Sequence, residues 1–256
     1  MIIVLTCLPP SRAETTGREG GLPKIRIPIL LYHRFGPGVA DSMTVSTPVF
    51  ESHLRYLKDH GYTVIPLWQL VQYCLGGSSS FPSRSIVIVA DDGHKTVHTD
   101  MGPLLKKYRI PMTLFIYPSA ISHASYAMTW DQLRDLKATG LVDVQSHSFW
   151  HPNFNVDKKR LSPVAYEALV EKQLGKSREI LEKELNIRVK MLAWPFGIYD
   201  EQLIRKAREA GYVAAFSIER RHVTLSDNVM ALPRYLMNDK DREKLFERMV
   251  ASSAQG

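Results

Sequence analysis

The sequence predicts an α/β fold, a distorted (β/α) barrel with about seven strands, on three observations. Short apolar, β-branched runs alternate with amphipathic helical stretches along the whole chain. Several of those runs end abruptly in histidine, aspartate or a Pro-aromatic-Gly turn, and a parallel barrel gathers its functional side chains at strand ends. At 256 residues the chain accommodates one such domain, and a second full domain is not expected.

Taken in order, Ile27 to Tyr32 reads as the first strand and delivers His33. Thr47-Pro48 reads as an N-cap followed by proline at the first helical position, and Phe50, Leu54 and Leu57 recur at helical spacing until His60-Gly61. Tyr62 to Ile65 is a second strand, Leu67 to Leu75 a helix that buries Cys74, and Gly76 to Ser80 a loop. Ser85 to Ala90 is apolar on both faces and ends in Asp91-Asp92-Gly93. A short helix from Asp100 to Tyr108 precedes the strand Pro111 to Tyr117. Thr129 and Gln132 have capping-box spacing and open a helix that stops at Gly140. Leu141 to Val144 then leads into His147 and His151. Ser162-Pro163 starts the longest helix, with Leu161, Ala165, Leu169, Leu174, Ile180, Leu181 and Leu185 as its apolar face. Val189 to Trp194 is a strand ending in Pro195-Phe196-Gly197, followed by a helix over Asp200 to Ala210 and a strand over Val213 to Ile218. Leu232 to Leu236 is a last extended piece, and Arg242 to Val250 an amphipathic helix.

Composition narrows the function classes. A hydrophobic content of 45% and a charged content of 23% are those of a globular protein, and no apolar run has the length of a membrane span. The net charge of +7 is scattered, without a dense basic run or a nucleic-acid motif, so a solvated surface and no nucleic-acid partner are expected. Cys7 and Cys74 are too few for a cysteine metal cluster. Residues 1–24 read as a leader and 25–256 as a single catalytic domain. Met1 to Leu8, followed by Pro-Pro-Ser-Arg-Ala, has the look of the end of a secretory signal, which points to a periplasmic or extracellular protein; a disordered cytoplasmic leader is the alternative.

The adjacent carboxylates of Asp91 and Asp92 repel each other unless a cation or a strong donor sits beside them. Helix capping accounts for a lone aspartate, but here His33, His147, His151 and the Pro195-Phe196-Gly197 turn also follow strands, and a barrel brings all of these ends to one rim. Pro152 rules out a regular helix through His147 and His151. With one of the two aspartates they would form a two-histidine, one-carboxylate metal site with positions open to water and substrate.

Asp-Asp-Gly after one buried strand, His147-Ser148-Phe149-Trp150-His151 after another and the Pro-aromatic-Gly turn resemble the motifs of the polysaccharide deacetylases of carbohydrate esterase family four, the NodB-homology domain. The resemblance covers about Pro28 to Leu236. Ile29-x-Leu31-x-His33 is similar to the family's last motif but comes first here, an order that resembles the circularly permuted poly-β-1,6-N-acetylglucosamine deacetylases of the intercellular-adhesin type. The resemblance implies Asp91 as general base, His33 as general acid, and Asp92, His147 and His151 as ligands of a divalent metal, zinc first, with cobalt, nickel and iron as alternatives. It also implies an oxyanion donor at the Phe196 amide, with Pro195 and Gly197 shaping the turn.

The family's usual arginine beside the base is absent before Pro195; Arg234 or Arg34 is the candidate replacement, and a packing or surface role is the alternative for each. His94 and His98 are spare ligands or solvated loop residues. Trp130 and Trp150 are sugar-stacking candidates with a core role as the alternative. The expected partner is a polysaccharide substrate, with separately encoded synthesis or export proteins, and the expected state is a monomer. Alternatives are the same chemistry on chitin oligomers, peptidoglycan or O-acetyl xylan, and a catalytically silent sugar-binding module.

Overall fold

The computed structural model describes residues 25–77 and 80–251. The leader 1–24 with Cys7, and part of the Gly76–Ser80 loop, lie outside the described residues. The chain enters at β1 (Ile29–Tyr32), and β2 (Arg34–Gly36) and β3 (Thr44–Ser46) pair with each other as a small parallel ribbon. Then come α1 (Thr47–Asp59), β4 (Thr63–Val64), α2 (Leu67–Cys74) and β5 (Ser85–Asp91). A π-turn at Val97–Met101 leads into α3 (Gly102–Tyr108), followed by β6 (Met112–Ile116), α4 (Trp130–Ala138) and β7 (Val142–Ser146). The second half holds α5 (Phe154–Arg160), α6 (Pro163–Leu185), β8 (Met191–Ala193), α7 (Glu201–Glu209), β9 (Ala214–Phe216), β10 (Tyr235–Leu236) and α8 (Glu243–Ala251).

Seven parallel strands lie in the order β10, β1, β5, β6, β7, β8, β9, and β4 adds to the start of β5. The segment leading into β10 curls the sheet back on itself: Leu232 exchanges backbone hydrogen bonds with Ala215 and Ser217 beside β9, while Tyr235 pairs with Leu30 of β1. The distorted barrel with about seven strands is the observed fold.

Strand side chains alternate between two apolar clusters. Ile29, Leu31, Val87, Val89, Phe115, Met191, Ala193, Ala214 and Phe216 form an inner cluster with Leu67, Leu70 and Val71 of α2. Leu30, Tyr32, Ile86, Ile88, Leu114, Val144 and Leu192 face the other way, under the surrounding helices. This alternation is the two-residue period of the β-strand, and it has a consequence for function. Asp91 shares the parity of Val87 and Val89, so its carboxylate is aimed into the barrel. All seven residues of β5 are buried.

Local expectations met tertiary competition at several places. Thr47 does not cap α1: Ser46 holds the cap position, but its hydroxyl donates to Asp239 at 2.6 Å, and the Thr47 hydroxyl donates to the Gly36 carbonyl at 2.9 Å. Helix α5 forms between His151 and α6 because Asn153 caps it and Phe154 is buried beneath it. The buried face of α6 is Tyr166, Val170, Gln173, Leu174, Ser177, Leu181 and Leu185; Ala165 is exposed and Leu169 and Ile180 only half-buried. Two members of that face are polar, which is why apolar periodicity misplaces it. Cys74 is half-buried, and burial pushes its thiol up to about 11. The Thr129–Gln132 capping box forms with both of its reciprocal hydrogen bonds.

Candidate active site

The strand ends converge on one cavity of about 420 Å³, lined by His33, Arg34, Met43, Asp91, Asp92, Tyr117, His147, His151, Trp194, Phe196, Ile218 and Leu236. His33 enters from the end of β1, Asp91 from the last position of β5, His147 from the residue after β7, and Phe196 from the turn after β8.

Asp91 is held by Arg234. Both groups are buried, and the guanidinium donates to the two carboxylate oxygens at 2.9 Å each while its Nε donates to the Ser217 carbonyl at 2.9 Å. The cation lies inside the barrel 5.4 Å from the Phe115 ring centroid and 6.0 Å from that of Phe216. Burial pushes the Asp91 carboxyl up, but Arg234, His147 and His33 outweigh it and hold it below its ordinary value. Asp92 goes the other way: burial raises it, His33 opposes, and neighbouring Asp91 adds to the rise. Two adjacent carboxylates thus occupy different electrostatic environments.

One ligand atom each from Asp92, His147 and His151 lies within 4.8 Å of the others. His147 Nε2 is 3.6 Å from Asp92 Oδ1, and His151 Nε2 is 4.0 Å from the same oxygen. The other nitrogen of His147, Nδ1, donates to the Ala193 carbonyl at 2.8 Å, which orients the ring and frees Nε2 as an acceptor. Burial lowers His147 to about 3 and also lowers His151, so both rings are neutral, the form that ligates a metal. Neutral imidazoles and one carboxylate around a small gap fit a divalent ion of the transition series.

The backbone is bent into the left-handed region at Asp92 (φ 73°), Ser148 (φ 64°), His151 (φ 60°) and Phe196 (φ 55°), none of them glycine. Such conformations persist only where the surroundings over-determine them. A Cβ on Gly197 (φ 67°) would sit 2.6 Å from Ile218 Cγ1, so a side chain there would displace Ile218 as well as strain the backbone. Trp194 anchors the same turn, its indole N–H donating to the Met230 carbonyl at 2.8 Å.

A model of the polysaccharide deacetylase family matches residues 78–215. The poly-β-1,6-N-acetyl-D-glucosamine N-deacetylase of Staphylococcus aureus strain MRSA252 is 31% identical over 209 residues, covering 80% of this chain and 71% of that protein. The chain belongs to the polysaccharide deacetylase family. The Staphylococcus epidermidis enzyme of the same name is 26% identical over 208 residues, with 80% and 71% coverage. Two solved structures share the fold. The Streptococcus pyogenes deacetylase PplD, solved with acetate, superposes with a TM-score of 0.78 at 20% identity, covering 89% of this chain and 99% of that one. IcaB from Ammonifex degensii gives 0.76 at 22% identity, covering 91% and 98%. Family and relatives' names indicate an N-deacetylase hydrolase.

Not every predicted residue of this polysaccharide deacetylase reaches the cavity. Arg234, rather than Arg34, lies against Asp91; Arg34 lines the cavity but pairs with Asp41. Trp130 lines a separate depression with Ser119, His123 and Phe149, because it opens α4 on the outside of the barrel. Trp150 is exposed with the Lys172 ammonium 5.1 Å from its ring centroid. His94 contacts the Thr96 hydroxyl at 2.8 Å and His98 lies 3.7 Å from Asp135, so neither joins the triad. Tyr117, which belongs to none of the motifs, also lines the cavity, its ring centroid 5.5 Å from that of His151. The strand-end rule was the signal for it, since Tyr117 follows β6 directly.

Proposed function

We propose that the protein is a metal-dependent N-deacetylase that hydrolyses the acetamide groups of an extracellular poly-β-1,6-linked N-acetylglucosamine polymer. The observation that carries this reading is the Asp92–His147–His151 cluster sharing one cavity with His33 and with an Asp91 carboxylate saturated by Arg234. Asp92, His147 and His151 would hold the ion, taken as zinc, which when bound polarises a carbonyl oxygen and brings water toward a pKa of about 7.

Asp91, ionised at neutral pH, takes a proton from the attacking water. The Phe196 amide donates to the oxyanion that forms at the former carbonyl, and the Pro195–Gly197 turn sets its position. His33 delivers a proton to the sugar nitrogen as the C–N bond breaks, since an amide anion is a poor leaving group. Burial holds His33 below its ordinary value, with Asp91 and Asp92 opposing and Arg234 and Arg34 adding to the fall, so the fraction of protein carrying this proton declines as pH rises through the neutral range. The products are acetate and a free glucosamine amine. Secretion of the protein, and its encounter with a polymer outside the membrane, belong to the same proposal; no helix among the described residues is long and apolar enough to cross a membrane.

The test is acetate release by zinc-loaded protein from partially acetylated poly-β-1,6-glucosamine, with chitin oligomers, peptidoglycan and acetyl xylan in parallel. Preference for the β-1,6 polymer is the expected result. Equal or better turnover of another substrate reassigns the polymer, and glycan binding without any acetate release reassigns the protein as a binding module.

A further inference from the structure

We propose that Gln173 is a positioning residue for the metal-ligating loop, its side-chain oxygen holding in place the backbone that carries His151; the inference rests on the metal reading given above. Gln173 lies on α6, which contributes nothing to the cavity lining, and it is 0% exposed. Its Oε1 accepts from two successive amides, Phe149 N at 3.1 Å and Trp150 N at 3.0 Å. Both amides are donors, so the orientation of the carboxamide is decided by its partners.

These two amides lie between His147 and His151. The loop is not a relaxed turn, because Ser148 and His151 both have positive φ, each at a cost of about 1 kcal/mol or more for a residue with a Cβ. Polar contacts within the loop and to the end of β7 support its ends: Ser148 N donates to Ser146 Oγ at 3.2 Å, and His151 N donates to Ser148 Oγ at 3.2 Å. Gln173 ties the backbone at the middle of the loop to α6, whose Lys172 and Lys176 ammonium groups also lie over the Trp150 and Phe149 rings.

The other end of the same side chain strengthens the case. Gln173 Nε2 is buried with no hydrogen-bond partner among the described residues. An apolar residue at this position of an otherwise well-packed helix face would avoid that penalty. A buried glutamine with an orphaned donor is accounted for by the work of its oxygen. Without that acceptor the Phe149 and Trp150 N–H groups lose their protein partner, the loop is freed to lift from α6, and His151 moves with it, away from Asp92 and His147.

Zinc is titrated by calorimetry into metal-stripped full-length protein, with a melting temperature measured for each variant. Gln173→Met is expected to weaken zinc binding by about tenfold or more, the usual effect of removing a residue that orients a ligand. Gln173→Glu keeps an accepting oxygen within reach of both amides, and should stay within about threefold of wild type. Leu174→Ala, buried on the same helix but without a polar contact to the loop, should lower the melting temperature and leave zinc affinity unchanged. If Gln173→Met does not fold, Gln173→Asn, whose amide is one methylene too short to reach, carries the same expectation. Wild-type affinity in Gln173→Met or Gln173→Asn, or an equal loss in Leu174→Ala, overturns the inference alone. A wild-type protein that binds no zinc, cobalt, nickel or iron overturns the metal reading and this inference with it.

Discussion

Arg234 and Asp91, 143 positions apart in sequence, meet inside the barrel through two parallel 2.9 Å hydrogen bonds. The guanidinium neutralises the carboxylate that the proposed chemistry uses as a base, and it does so from the side away from the solvent. Arg234→Met strands Asp91 as a buried charge, which costs about 3–5 kcal/mol and is read as a lowered melting temperature. It also removes the principal interaction that offsets burial, so the Asp91 pKa rises and the acid limb of kcat/KM moves to higher pH. Arg234→Lys, which retains charge but not the two-pronged geometry, should fall between the two. A pH–rate profile for each variant checks the order.

The two aspartates should separate cleanly. Asp92→Ala is expected to abolish stoichiometric metal, measured by elemental analysis, and activity with it. Asp91→Asn should keep the metal and lose about 10²- to 10⁴-fold in acetate release. Metal loss in Asp91→Asn of the size seen in Asp92→Ala would exchange or merge the roles.

Gly197→Ala meets both a steric and a conformational barrier, with its Cβ 2.6 Å from Ile218 Cγ1 and 3.2 Å from the Ile218 backbone nitrogen at φ 67°. A stability loss of about 1–2 kcal/mol is expected, together with a fall in kcat as the Phe196 amide shifts. Gly175→Ala is the internal control. It lies in α6 with nothing within 4 Å of a new Cβ, so it should stabilise the protein by about 0.5–1 kcal/mol in denaturant unfolding and leave kcat unchanged.

Stability should fall on the acid side through a histidine remote from the cavity. His53 is buried, stacked on Phe246, and placed between the Tyr32 hydroxyl at 3.0 Å and the Asp241 carbonyl at 2.6 Å. Burial lowers it from its ordinary 6.5 to about 4. The folded state therefore favours the neutral ring, and its contribution is complete above pH 6.5 and lost as pH falls toward 4. The shift corresponds to about 3 kcal/mol. His222, also lowered by burial to about 4, acts in the same window. Denaturant unfolding of His53→Met between pH 7 and 4 should show a shallower decline than wild type.

What the chain determined by itself was whatever depends on neighbours in sequence. The alternation of β5, its termination at Asp91-Asp92-Gly93, the Thr129–Gln132 capping box and the stop of α7 near Gly211 all follow from spacing and residue type. The strand ends His33, Asp91, Asp92, His147 and Pro195-Phe196-Gly197 were legible for the same reason. Tertiary structure alone chose Arg234 over Arg34 as the partner of Asp91, because that choice depends on how β10 is set beside β1 and β5 across the barrel. It also placed Trp130 outside the cavity and turned Gln173 and Ser177 inward on α6, against the apolar pattern. Periodicity reports which face of an element is buried, whereas the partner that satisfies a buried polar group comes from a different element, and only the assembled register brings the two within hydrogen-bonding distance.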